Sequence, residues 1–227
     1  GGNAEVWTST QGHYMNRAQT AKVLGMEMSK IKVTPAEIGG GFGGKNLIYL
    51  EPLAIQLSKI SQHPVKMAMT RDEVFRSTVP TSGTNIKIKI GMTKDGRIQA
   101  IEIADLTGVG PYSMYPRTSA IEANQIVNMV GGPYAFENYK ARATVVYLNK
   151  NMMCQYRAVG HPVMCAVTEG LVDAGARAIG MDPAEVRRIN VFPDDAYPLK
   201  SAQGMPFEKL SHQASLEKPL EMMDYKK

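Results

Sequence analysis

Cysteine is nearly absent from this sequence: Cys154 and Cys165 are its only two. Two thiols cannot supply the four thiolates of an iron–sulfur cluster, and their spacing matches no zinc knuckle. Each is expected to be a small buried apolar residue, and the pair fits a reducing, cytoplasmic setting. Long hydrophobic runs are missing as well, since none approaches the ~20 residues a membrane span requires. There is no block of five like charges, so the net charge of +5 belongs to no nucleic-acid-binding arm. A mildly basic surface facing an acidic partner or an anionic cofactor is what such a balance allows. The sequence shows no signal peptide, internal repeat or low-complexity tract. It opens Gly1-Gly2-Asn3 without an initiator Met, and is therefore expected to be a trimmed piece of a longer polypeptide.

What is present is ordinary globular chain. The 227 residues are 44% hydrophobic and 21% charged, enough for one large domain or two small ones. Glu5–Thr10 alternates as a strand does, and Gly12 breaks it. Ala18, Ala21 and Leu24 form a helical stripe closed by Gly25. Ile31–Ile38 is a second strand, with Pro35 marking an edge or bulge. Leu50, Leu53, Ala54, Leu57 and Ile60 mark an amphipathic helix, with Pro52 tolerable in its first turn, and Val65–Met69 resumes a strand. NIKIKIGMTKDGRIQAIEI is a β-hairpin pattern, its Asp95-Gly96 turn expected to take positive φ at both residues. Ala141–Leu148 is another strand, and Val163, Val167, Leu171, Ala174 and Ala178 space a helix over His161–Ile179. Asp182-Pro183-Ala184-Glu185 opens one more, with Asp as cap and Glu reaching back. This order predicts an α+β protein with a mixed sheet. Residues 1–195 form the main lobe, divisible near residue 80 into two subdomains, and 196–227 form a loosely packed extension.

The stretch GGGFGGKN, from Gly39 to Asn46, satisfies two nucleotide-binding patterns and suits neither. A triphosphate loop needs Ser or Thr after its Lys to hold Mg²⁺; here Asn46 follows Lys45. A dinucleotide loop needs an acidic residue ~20 positions onward; Gln62-His63-Pro64 occupies that stretch. Nor is this a slack linker, because five glycines in six positions are entropically costly to order. The better reading is a loop whose amides approach a ligand closely, with Phe42 forced into the site.

WTSTQG at 7–12, GGGFGGK at 39–45 and QYRAVGHP at 155–162 together resemble the molybdenum-binding subunit of the xanthine dehydrogenase and aldehyde oxidoreductase family. HPVKMAMTRDE, the KDGRI hairpin and DPAEVRRIN support the likeness, which covers about Glu5 to Phe192. The resemblance implies a molybdenum–pterin cofactor, molybdopterin or its cytosine dinucleotide, that hydroxylates a carbon beside a heteroatom or oxidises an aldehyde with water as oxygen source. It implies that Gln11 donates toward a molybdenum oxo group. Gly40, Gly41, Phe42 and Gly43 would form the loop beside the metal, and the main chain of Arg157 and Ala158 would meet the pterin. Gln11, Phe42 and Arg157 would be molybdenum-proximal without ligating the metal. His13 and His161 are structural or peripheral on this view.

Departures from the family pattern bear on substrate. Purine-oxidising members carry Glu after the loop lysine and an aromatic two residues after the second-loop arginine; here Asn46 and Val159 stand in the substrate pocket. Carbon monoxide-oxidising members place Cys where Ala158 stands. An aldehyde or an N-heterocyclic aromatic is therefore expected. The family's general-base glutamate belongs to a C-terminal half outside these residues, so no catalytic residue is assigned, and Glu51, Glu73 and Glu169 sit in the wrong motifs to replace it. The expected partners are that remaining half, an iron–sulfur subunit carrying [2Fe–2S] centres and a flavin (FAD) subunit. Two rival readings stand beside this one: a nucleotide-binding protein using GGGFGGK as a phosphate loop, and a non-catalytic scaffold.

Overall fold

The computed structural model describes residues 2–225 other than 114, 116, 117 and 154. The fold of Cys154 thus lies outside the described residues. The chain resolves into two compact units. The first comprises Gly1–Thr81, Gly110–Ser119 and Leu148–Arg157; the second comprises Ser82–Val109, Ala120–Tyr147 and Ala158–Lys227.

In the first unit, β1 (Ala4–Thr8) and β2 (Ile31–Pro35) pair in parallel, from Ala4 opposite Ile31 to Thr8 opposite Pro35. Parallel pairing requires a crossover. Here α1 (His13–Leu24) provides it, and Gly25 at φ 62° stops the helix in the left-handed conformation that glycine accepts without strain. The helix starts five residues before its apolar stripe, since Gly12 only breaks the strand. α2 (Glu51–Ser61) follows the glycine loop with Pro52 in its first turn. Val65–Met69 is not a strand. Its consecutive residues Met67, Ala68 and Met69 instead line a cavity of about 910 Å³ with Val23, Leu47 and Leu50. α3 (Arg71–Ser77) has no clear apolar period, but Thr70 and Glu73 close a reciprocal capping box that fixes its start.

The second unit is built on a three-stranded sheet. β3 (Gly83–Met92) runs antiparallel to β4 (Ile98–Gly108), and β4 runs parallel to β5 (Asn138–Val146). The hairpin forms where the pattern places it, but only Gly96 takes positive φ, at 88°. A five-residue turn closed by Thr93 N–H to Arg97 C=O makes a left-handed Asp95 unnecessary. α4 (Ile121–Met129) and α5 (His161–Ile179) cover one face of the sheet, and Ile101, Ile103, Ile126, Val130, Val172 and Ala176 fill the space between. Burial fades toward the start of α5, where Cys165 is exposed rather than buried. α6 (Pro183–Asn190) is capped by Asp182, which accepts from the N–H groups of Ala184 and Glu185. Glu185 pairs with Arg188 rather than reaching back to the cap. Asn190, 3% exposed, donates to Gly96 C=O and accepts from Ile98 N–H, tying α6 to the hairpin turn. The last residues carry a short hairpin, β6 (Leu199–Lys200) with β7 (Pro206–Phe207), and α7 (His212–Met222). They are more ordered than their composition suggests, because Glu217 binds Arg188 of α6 through both oxygens. Mixed sheet and packed helices make this the α+β architecture expected from the pattern.

Candidate functional site

Three backbone turns of the first unit meet at the glycine loop. The turn after β1 carries Gln11, whose N–H donates to Lys45 C=O at 2.9 Å, while Thr10 Oγ1 donates to the same carbonyl at 3.2 Å. Gln11 Oε1 accepts from Gly43 N–H at 2.9 Å and Lys45 N–H at 3.1 Å. With its oxygen held by the loop, the amide offers its NH₂ end, which has no acceptor among the described residues. The third turn arrives at Arg157, whose N–H donates to Phe42 C=O at 2.8 Å. The Arg157 guanidinium lies 5.2 Å from the Phe42 ring centroid, within cation–π range. No carboxylate pairs with it among the described residues.

Sterics explain the glycines. A Cβ on Gly41 would lie 2.4 Å from the Gln11 side chain, and one on Gly40 would lie 2.8 Å from the Phe42 ring. Gly43, at φ 86°, packs against Gln155 C=O, which a Cβ would approach to 3.2 Å. Phe42 itself is left-handed at φ 50° and remains 54% exposed. For a non-glycine residue that conformation costs about 1–2 kcal/mol, which the loop contacts must offset. Asn46 turns back on its own loop, donating to Gly43 C=O at 3.3 Å. Ala158 and Val159 belong by their contacts to the second unit. Both have positive φ, 64° and 40°, and with Gly160 at 80° they make a strained run leading into α5.

Arranged this way, with the Gly43, Gly44 and Lys45 N–H groups bonded inside the loop, the turns present the Gln11 NH₂ as a neutral donor and, among the described residues, the Arg157 cation without a carboxylate partner. That donor set suits an anionic, oxygen-rich ligand. It does not suit a nucleoside triphosphate, because Lys45 Nζ donates to Ile38 C=O instead of projecting from the loop, and α2 begins only at Glu51. A phosphate loop runs directly into its helix so that the helix N-terminus faces the phosphates. Among the described residues no group of three or more His, Cys, Asp or Glu side chains is placed to hold a metal ion. A metal seated here would bring its own ligands.

A sequence profile of the molybdopterin cofactor-binding domain matches residues 1–191. The chain belongs to that family. The large molybdopterin subunit of nicotinate dehydrogenase from Eubacterium barkeri is 32% identical over 231 residues, covering 100% of this chain and 53% of that protein. The nicotine 6-hydroxylase large subunit of Paenarthrobacter nicotinovorans is 30% identical and covers 97% of this chain and 27% of its own length. Among solved structures, quinoline 2-oxidoreductase from Pseudomonas putida 86 superposes with a TM-score of 0.92 at 27% identity, over 99% of this chain and 29% of that one. The chain thus spans about half the length of the nicotinate dehydrogenase subunit and about a quarter of the nicotine hydroxylase subunit. No helix among the described residues is long and apolar enough to cross a membrane.

Sequence reasoning missed several residues that support this site. Glu51, Asn16 and Tyr49 form a buried hydrogen-bond group beneath it. An acid opening a helix is ordinarily a favourable charge at the dipole's positive end, so nothing local distinguishes Glu51 from a solvent-facing residue.

Proposed function

We propose that this chain is the cofactor-seating lobe of a molybdenum hydroxylase that oxidises a pyridine- or quinoline-type aromatic compound rather than a purine. The observation that carries the reading is the fixed amide of Gln11. Its oxygen is held by two loop N–H groups, so its NH₂ group is left as a donor beside the glycine turn and the free Arg157 cation. When bound, the molybdenum–pterin group supplies two-electron oxidation of a carbon with water as the oxygen source. The chain's own residues bind and orient that group. Gln11 would donate through Nε2, the backbone from Gly40 to Gly43 would lie against the cofactor, and the Phe42 ring would limit one wall. Arg157 would neutralise negative charge, with the main chain of Arg157 and Ala158 meeting the pterin. The metal itself takes no ligand from these side chains.

For the substrate, Asn46 and Val159 supply neither a carboxylate nor an aromatic sandwich for a purine. Two relatives and one structural neighbour are named for pyridine- and quinoline-type compounds, nicotinate, nicotine and quinoline, while other relatives are named for xanthine and hypoxanthine, so the substrate choice rests on Asn46 and Val159. The base that takes the proton, the [2Fe–2S] and flavin groups that take the electrons, and the wall closing the pocket would come from the rest of the enzyme.

The test is metal and pterin analysis of the assembled enzyme containing this chain, together with turnover assays. The expected result is molybdenum and a pterin-derived product, with activity on a pyridine- or quinoline-type compound and little on hypoxanthine. Active enzyme containing neither molybdenum nor pterin would end the proposal, and preference for hypoxanthine would end the substrate assignment alone.

A further inference from the structure

The carboxylate of Glu51 is 6% exposed and accepts from three groups, two of them 43 and 35 residues away in sequence. Oε1 takes the Thr8 hydroxyl at 2.7 Å and the Asn16 amide at 2.8 Å, and Oε2 takes the Tyr49 N–H at 2.7 Å. Thr8 ends β1 and Asn16 lies in the first turn of α1, so the two flank the turn that bears Gln11. Tyr49 lies on the stem returning from the glycine loop, and its hydroxyl donates to Gly44 C=O at 2.8 Å. One anion therefore holds both stems of the Gln11 turn and one stem of the glycine loop. Hydrogen bonds to a buried carboxylate are short and strong because the acceptor is charged. The rigid first turn of α2, with Pro52 beside it, fixes where that charge sits.

We propose that Glu51 is a positioning residue for the cofactor. It does not touch the ligand; it sets the distance between the Gln11 amide and the glycine loop that together receive it. This inference rests on the reading of the lobe as a molybdenum–pterin seat. A glutamine cannot replace Glu51, because donors face both of its oxygens and an amide would turn its NH₂ group against one of them.

The experiment follows cofactor retention in the assembled enzyme, measured as molybdenum per chain during dialysis against a chelator. E51Q is expected to lose molybdenum about tenfold faster than the parent, as loss of a hydrogen bond to a charged group would give. In a Gln11→Ala background, E51Q should add less than about twofold, because the two residues act through one contact and their effects do not add. An equal loss in both backgrounds would mean that Glu51 only supports the fold, and would overturn the inference, as would unchanged retention in E51Q. Should E51Q fail to assemble, Thr8→Val removes a single donor at nearly constant volume; a faster loss of about threefold that vanishes in the Gln11→Ala background supports the inference, and no change refutes it. A parent enzyme holding no molybdenum would remove the reading of the lobe and this inference together, whereas a loaded parent with indifferent variants removes the inference alone.

Discussion

A methyl group added at Gly41 would meet three atoms of the Gln11 side chain at 2.4 Å, a distance at which one of the two must move. The long side chain yields more easily than the loop backbone, so Gly41→Ala should break the bonds from Gln11 to the N–H groups of Gly43 and Lys45. At about 1 kcal/mol each, the loss of both corresponds to about thirtyfold weaker retention of the cofactor, measurable as molybdenum per chain. Gly39 is the control: at φ 60° with open space around it, Gly39→Ala should cost about 1 kcal/mol in backbone strain and leave Gln11 in place. A different residue governs pH. Asp105 is 2% exposed on the core face of β4, where Oδ2 accepts from Thr107 Oγ1 at 2.7 Å and Oδ1 has no partner among the described residues. Burial raises its pKa above the ordinary aspartate value, partly countered by that hydroxyl. The unfolded chain therefore gives up this proton at lower pH than the folded one. Stability is whole below the ordinary aspartate value and declines as pH rises from there to the raised value, by at most about 1.4 kcal/mol per pH unit. Asp105→Asn should remove that slope, and denaturant unfolding of the two proteins across acidic pH checks it.

At the scale of elements, α6 is clamped to α5 by a single side chain. Arg187 reaches Glu169 Oε2 and Asp173 Oδ1, each at 2.7 Å, and Tyr134 OH donates to the same Glu169. Burial works against the Arg187 charge, but the bonds to Asp173 and Glu169 outweigh it and lift its pKa above the ordinary arginine value. Lysine carries one point charge and cannot span two carboxylates. Arg187→Lys should therefore destabilise the chain by about 1–2 kcal/mol, while Arg188→Lys, between the more exposed Glu185 and Glu217, should move the urea midpoint less. The elements most legible in the sequence are those specified within their own span. Nineteen residues of helical period bounded by glycines define α5, and Asp182-Pro183 defines the start of α6. Where the deciding interaction is distant, the pattern misleads or is silent. Val65–Met69 alternates as a strand would, yet among the described residues no neighbouring strand pairs with it. α4 is short, begins at Ala120 without a side-chain cap and carries a buried Glu122, so it announces itself by neither cap nor stripe. The same division runs through the site. Gln11, Phe42 and Arg157 lie in motifs visible along the chain, whereas Glu51 acquires its role only when residues 35 and 43 positions away fold against it.

For the molecule as a whole, the first unit leaves large apolar side chains uncovered. Trp7, Tyr14, Val23, Ile60 and Phe75 are all more than three-fifths exposed. Isolated surface hydrophobes need no explanation, but this many in a unit of some hundred residues exceeds what scattered exposure gives. Each fully buried side chain of this size would contribute about 1.5–3 kcal/mol, which the unit does not gain by itself. The chain spans 53% of one relative and 27% of another. The expected outcome is that the 227-residue chain prepared alone binds a hydrophobic dye such as anilinonaphthalene sulfonate and self-associates, as judged by fluorescence and sedimentation velocity. Within the assembled enzyme both signals should fall, because the same side chains then pack against protein. Trp7 makes the comparison site-specific: as the sole tryptophan of the chain, its emission should shift to shorter wavelength if its surroundings become dry on assembly. A monomeric isolated chain with no dye binding would show instead that these side chains are tolerated surface, and that the lobe needs no cover to be stable.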